Sequence, residues 1–211
     1  MEVTKGIHLL ADETKGSFVY LIMGDEPVLV DTGIRGRANR IIGALERIGI
    51  GPSDLAHIVL THQDFDHIGN AKTLQEWSGA ALWAPETEIP YIHGEKKGPG
   101  IRHVFQRLMR IDNPTGVQPY QAGKQIGKLE VIPAPGHTPG HVCLRIGDVL
   151  MAGDLVMTSK GKLQPAPGFL TWDKSVLQKS LREVGKLEFD WVCPAHGMPV
   201  RRGSLWEAMN V

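Results

Sequence analysis

Apolar residues gather into short runs along this chain, and four of the runs stop on a histidine or an aspartate. They are HIVLTHQDFDH (His57–His67), LEVIPAPGH (Leu129–His137), DVLMAGD (Asp148–Asp154) and DWVCPAH (Asp190–His196). A β-branched or aliphatic run broken by Pro or Gly reads as a buried strand that delivers the next side chain to a sheet edge. Four such strands would gather one polar cluster from distant positions, as a multi-metal site requires.

The remaining pattern supplies the scaffold. Residues 17–31 predict two strands joined by a Gly-Asp-Glu-Pro turn and ending on Asp31-Thr32-Gly33. Ile41, Ile42, Leu45 and Ile48 stand at helical spacing, with Gly49 and Gly51 as a stop. A strand over His57–Leu60, a loop over 61–70, a helix through Leu74 and Trp77 and a strand over Ala80–Ala84 follow. Residues 85–123 are rich in Pro, Gly and charge, with an amphipathic helix predicted from Ile101, Val104, Phe105, Leu108 and Ile111. Further strands start near Lys128, Cys143, Asp148 and Asp190, the last after a long helix over about 173–187. Strands alternating with helices, plus hairpins, predict an α/β (or α+β) chain with a mixed sheet arrangement covered by helices.

Length and composition narrow this picture. The 211 residues suffice for one substantial core, so a single domain over 1–211 is the expectation. The 23 basic and 23 acidic side chains cancel, which argues against nucleic acid or an anionic membrane as partner. No apolar stretch approaches a membrane span, and the first residues lack a secretory signal core, so a cytoplasmic location is expected. Cys143 and Cys193 lie in strand-like runs without CxxC spacing and read as buried hydrophobes of a reducing compartment. Nothing identifies an oligomer surface.

Within THQDFDHIGN, His62, Asp64, Asp66 and His67 fall at i, i+2, i+4 and i+5. Two imidazoles and two carboxylates form a mixed N/O set suited to zinc, iron, manganese or cobalt. The bland alternative is a polar helix N-terminus favoured by the helix dipole.

Thr61-His62-Gln63-Asp64-Phe65-Asp66-His67 resembles the T-H-x-H-x-D-H loop of the metallo-β-lactamase superfamily. Other motifs of that family follow in its order: Asp31-Thr32-Gly33, Gly136-His137-Thr138-Pro139-Gly140-His141, Gly153-Asp154, and Pro194-Ala195-His196-Gly197. The resemblance covers residues 5–200 and implies a four-layer αββα sandwich. It implies two divalent metal ions, zinc by the family's habit, with iron or manganese as alternatives. By position, one metal falls to His62, Asp64 and His137, and the second to Asp66, His67 and His196, with Asp154 bridging. Asp31 is then a residue that orients a ligand imidazole, and His141 a structural or ligand-orienting one. His8, His57, His93 and His103 match no motif. The departure is Asp64, where the family usually has histidine. A carboxylate there adds negative charge, shifts preference toward harder metals and has a shorter reach.

The activity implied is hydrolysis of an ester, thioester, lactone, amide or phosphoester small molecule by a metal-bound hydroxide, with Asp66 as proton shuttle. The alternatives are an iron-dependent redox enzyme similar to flavodiiron proteins or persulfide dioxygenases, and a non-catalytic binding module. Residues 85–123 are the candidate lid. Lys96, Lys97, Arg102, Arg107 and Arg110 either face an anionic substrate or form a solvated basic face. Phe169 and Trp172 either wall a cleft or cover the core.

Overall fold

The computed structural model describes residues 1–14, 16–99, 102, 108, 109, 111–121 and 123–210. The predicted helix around 101–111, and with it His103, Arg107 and Arg110, lies almost wholly outside these residues. The chain divides into two compact units, Met1–Tyr120 and Gln121–Val211.

The first unit carries a seven-stranded sheet in simple sequence order: β1 (Glu2–Thr4), β2 (Ile7–Leu9), β3 (Tyr20–Ile22), β4 (Val28–Val30), β5 (His57–Val59), β6 (Ala81–Pro85) and β7 (Gln118–Tyr120). β1 to β4 pair antiparallel, and β4 to β7 pair parallel. The parallel half needs crossovers, and α1 (Ala38–Ile48) supplies the one from β4 to β5 and α3 (Ala71–Ser78) the one from β5 to β6. α1 buries Ile41, Ala44 and Leu45 against Leu29 and Ile58 and ends on Gly49 at φ +93°, a left-handed cap that glycine takes without strain. The predicted segment 85–123 begins on the last residue of β6 and includes β7, and Ile111 packs on the core of this unit.

The predicted loop 61–70 contains one helical turn, α2 (Phe65–Ile68). The Asp64 carbonyl accepts the N–H groups of His67 and Ile68 at 2.9 and 3.2 Å and so starts a helix inside the motif. His62 and Asp64 therefore precede a helix, while Asp66 and His67 ride on it. A second helical turn, α4 (Ile89–Ile92), follows β6.

The second unit holds a six-stranded sheet ordered β15-β14-β11-β10-β9-β8. Its strands are β8 (Gln125–Ile126), β9 (Leu129–Pro133), β10 (Val142–Ile146), β11 (Val149–Gly153), β14 (Trp191–Pro194) and β15 (Val200–Arg201). Only β11 and β14 run parallel, joined through α5 (Lys174–Gly185). The Asp173 side chain caps α5 by accepting the Ser175 and Val176 N–H groups. Leu177, Leu181 and Val184 bury its apolar stripe with Cys143, Leu150 and Val192. A hairpin of β12 (Val156–Ser159) and β13 (Lys162–Pro165) was not foreseen; its turn places Lys160 and Gly161 at φ +50° and +72°. The class is mixed α/β, as expected. No helix among the described residues is long and apolar enough to cross a membrane.

Candidate metal centre

Each of the four ligand-ending runs is a strand followed at once by its candidate ligands. β5 precedes His62, β9 precedes His137, β11 ends one residue before Asp154, and β14 ends two before His196. Burial makes β5, β11 and β14 near-continuous apolar runs, while β9 buries Leu129 and Val131 in alternation, which is why the pattern was legible.

In the first unit a chain of hydrogen bonds sets the imidazoles. Asp31 is buried, at φ +59°, and its Oδ1 accepts the Thr61 N–H at 2.8 Å. Its Oδ2 accepts the Thr61 hydroxyl at 2.8 Å and His67 Nδ1–H at 2.9 Å. An ionised carboxylate only accepts, so the His67 proton is assigned to Nδ1, and Nε2 is the acceptor nitrogen, 3.5 Å from the Ser17 hydroxyl. Thr61 Oγ1 has spent its proton on Asp31, so at 3.0 Å it accepts His62 Nδ1–H. One aspartate thereby fixes the tautomer of both histidines, whose rings lie 3.9 Å apart. Asp31 thus makes a hydrogen bond of the kind expected of it to a candidate ligand imidazole, and Thr61 extends the chain to the second one.

The His62 Nε2 lone pair then faces Asp64 Oδ2 at 3.6 Å. Two acceptors held face to face favour a cation between them, so this donor set fits a metal. Asp64 Oδ1 accepts Arg102 Nε–H at 2.7 Å. Ligand atoms of Asp66 and His67 come within 4.8 Å of each other, as do those of His62 and His67.

The loop is pinned to the Asp31-Thr32-Gly33 turn. Thr32 donates both its N–H and its hydroxyl to the His67 carbonyl at 2.7 Å, and Gly69 N–H donates to Gly33. The Asn70 amide donates to the Thr32 and Ile34 carbonyls, while its oxygen accepts the Arg37 and Ala38 N–H groups that open α1. The two motifs thus form one hydrogen-bonded body. Below the loop, buried Glu88 accepts the Gln63 N–H at 3.1 Å, and the Tyr120 hydroxyl donates to the Leu60 carbonyl. Burial, reinforced by the charges of Asp31 and Glu88, holds the Tyr120 phenol protonated well above its ordinary range.

In the second unit Asp154 Oδ2 lies 3.3 Å from Nε2 of both His137 and His196. His141 Nδ1–H donates to the Ala134 carbonyl at 3.0 Å, and its Nε2 accepts the Asp154 N–H at 2.9 Å. Both nitrogens are engaged, so His141 braces Asp154 and is no ligand. The His137 carbonyl accepts the Trp172 N–H, and the His196 carbonyl accepts the Thr158 N–H. Gly136, at φ +132°, lets the chain pass α5 so closely that a Cβ would stand 2.3 Å from Leu177 Cα.

All seven expected ligands thus fall into two local sets, His62, Asp64, Asp66 and His67 in one unit and His137, Asp154 and His196 in the other. Thr61, Arg102, Glu88 and Asn70 were missed as site residues; Arg102 was noted only as one cation of a basic run. Of that run, Lys96 and Lys97 are exposed, whereas Arg102 is buried. Phe169 and Trp172 are 77% and 46% exposed and do not cover the core. Both cysteines are free and buried; burial pushes the Cys193 thiol up to about 12 and that of Cys143 higher still.

The sequence model of the metallo-β-lactamase superfamily matches residues 13–196. The probable metallo-hydrolase YflN of Bacillus subtilis is 30% identical, over 99% of this chain and 92% of that protein. The hydroxyacylglutathione hydrolase of Shewanella baltica is 33% identical over 50% of this chain and 35% of its own length. The crystal structure of TTHA1623 in a di-iron-bound form superposes with a TM-score of 0.73 at 26% identity, over 91% of this chain and 92% of that one. The chain therefore belongs to the metallo-β-lactamase superfamily, as a metal-dependent hydrolase.

Proposed function

We propose that the chain hydrolyses a small ester, thioester, lactone or phosphoester at a binuclear centre. His62, Asp64 and His137 would hold one ion, and Asp66, His67 and His196 the other, with Asp154 between them. The observation that carries this reading is the convergence of His137 and His196 Nε2 on one oxygen of Asp154 at 3.3 Å, which suits a shared carboxylate ligand. When bound, such ions supply Lewis acidity and lower the pKa of water toward about 7. Asp66 takes the proton released by the attacking water and returns it to the leaving group. Asp31, Thr61 and His141 keep the ligands in the tautomers and positions they need.

The exposed Phe169 and Trp172, the latter bonded through its backbone to His137, support a substrate with an apolar part. The partial match to hydroxyacylglutathione hydrolase supports a thioester. Residues 85–123 serve as the substrate-side wall in this reading. Two buried free thiols are what a reducing compartment preserves, which supports a cytoplasmic location. Zinc is the first choice of metal.

The test is elemental analysis of the purified protein beside a panel of thioester, lactone, ester and phosphoester substrates. About two zinc ions per chain after loading with excess zinc, with hydrolysis that is lost in His67→Ala and Asp154→Ala, is the expected result. Hydrolysis that survives complete metal removal would sink it. A carboxylate at position 64 and the di-iron form of a 26% identical relative favour one second reading, an iron-dependent redox enzyme. Bound iron with oxygen uptake and no hydrolysis would establish that instead.

A further inference from the structure

Asp64 is where this chain leaves the family pattern, and the fold pairs it with a cation of its own. The Arg102 side chain is 6% exposed, and its Nε donates to Asp64 Oδ1 at 2.7 Å, while Oδ2 stays 3.6 Å from His62 Nε2. This guanidinium has two effects of opposite sign on a metal taken up between His62 and Asp64. It locks the carboxylate rotamer, which saves the modest ordering entropy of one short side chain. It also cancels much of the carboxylate charge and stands as a fixed positive charge beside the incoming cation. Repulsion between a divalent ion and a neighbouring guanidinium decays only as 1/r and is weakly screened in a buried site, so the second effect outweighs the first.

The imidazoles differ in the same direction. His67 is backed directly by the Asp31 carboxylate, which raises its basicity as a ligand, whereas His62 is backed by the neutral hydroxyl of Thr61. We propose that Arg102 tunes the metal affinity of this centre, making the His62–Asp64 position weak and readily emptied while the Asp66–His67 position stays tight. It acts through Asp64 as a positioning and charge-balancing residue. The inference rests on the metal-dependent reading above and adds the inequality of the two positions and its cause.

The experiment is a stepwise zinc titration of the metal-stripped full-length protein against a chromophoric chelator. Thermal unfolding of each metal-free variant shows which forms fold. The wild type should bind zinc in two steps, and Asp64→Ala should lose the weaker one only. The neutral variants Arg102→Gln and Arg102→Met should tighten the weaker step about tenfold or more and leave the stronger one in place, because the fixed positive charge beside the ion is gone. Arg102→Lys retains the positive charge and should keep the steps apart. Either neutral variant suffices, and the wild-type separation stands as a test without them. Two equal zinc steps in the wild type would overturn the proposal, as would loss of the weaker step in a folded neutral variant. Those outcomes leave the metal-dependent reading intact; failure of the wild type and every variant to bind zinc or another divalent ion would remove both.

Discussion

Replacing Asp31 tests whether one carboxylate sets the chemistry of two histidines. It accepts three hydrogen bonds in a buried place, from Thr61 N, Thr61 Oγ1 and His67 Nδ1. In Asp31→Ala these donors lose a charged acceptor, at about 1–3 kcal/mol for each left unsatisfied. Partial rescue by water brings the expected loss to about 4 kcal/mol, a large fraction of the 5–15 kcal/mol that holds a typical domain. Asp31 also sits at φ +59°, which costs an ordinary residue about 1–2 kcal/mol, so Asp31→Gly should recover about 1 kcal/mol relative to Asp31→Ala.

Asp31→Asn separates stability from ligation. Its amide oxygen can still accept from Thr61 N, but an NH2 donor then faces Thr61 Oγ1 and His67 Nδ1. His67 must answer as an acceptor, which moves its proton to Nε2 and removes the ligand lone pair. The folded protein should therefore survive while zinc affinity falls about 10- to 100-fold. Urea unfolding of the metal-free forms, zinc titration and 15N NMR of the imidazoles read out the three quantities. Unchanged zinc affinity in Asp31→Asn, with the His67 proton still on Nδ1, would refute the relay. Asp31→Gly less stable than Asp31→Ala would refute the strain argument.

His141→Ala strands the Asp154 N–H and the Ala134 carbonyl and should cost about 2–4 kcal/mol, a drop of about 5–10 °C in the thermal midpoint, with weakened zinc binding. An unchanged midpoint would deny the brace. Gly136→Ala sets a Cβ 2.3 Å from Leu177 Cα at φ +132° and should cost more than about 3 kcal/mol. Gly147→Ala, at φ +56° with nothing within 4 Å, should cost only about 1 kcal/mol; equal losses in urea unfolding would contradict this. The buried thiols have pKa values raised on folding, so the stability they confer is complete below the unfolded value of about 9 and is lost as pH rises above it. Native Cys143 and Cys193 should resist a thiol reagent at pH 8, and alanine at both positions should flatten the alkaline decline in urea midpoint. Rapid labelling of the folded protein would show that the thiols are not buried.

What was legible in the sequence is what local physics fixes. β5, β11 and β14 are mostly buried and read as nearly unbroken apolar runs, whereas β9 alternates, with Leu129 and Val131 buried and Glu130 half-exposed. α1 and α5 show their 3.6-residue stripes because one face of each meets a core. β1 and β2 escaped because Glu2, Thr4 and His8 interrupt their apolar residues and leave no run, and the β12–β13 hairpin because only Val156 and Leu163 of its apolar positions are fully buried. Its Lys160-Gly161 turn was the available signal, with Gly161 taking a positive φ at no steric cost.

The candidate ligands were legible for a related reason: the first of each run, His62, His137, Asp154 and His196, sits within four residues of a strand end. Their support is not local. Thr61 could be seen beside His62, but its link to Asp31 spans 30 residues, and that of Arg102 to Asp64 spans 38. In a run of five cations, sequence periodicity does not distinguish a solvated lysine from an arginine folded inward. The distinguishing signal was at the other end of the pair. A carboxylate that replaces imidazole in a buried motif brings a charge that burial makes costly until a cation or a metal balances it. The departure at Asp64 was therefore already a demand for a partner. In a stretch where lysine heads stay in water, a guanidinium is the group whose planar donors best meet a buried carboxylate.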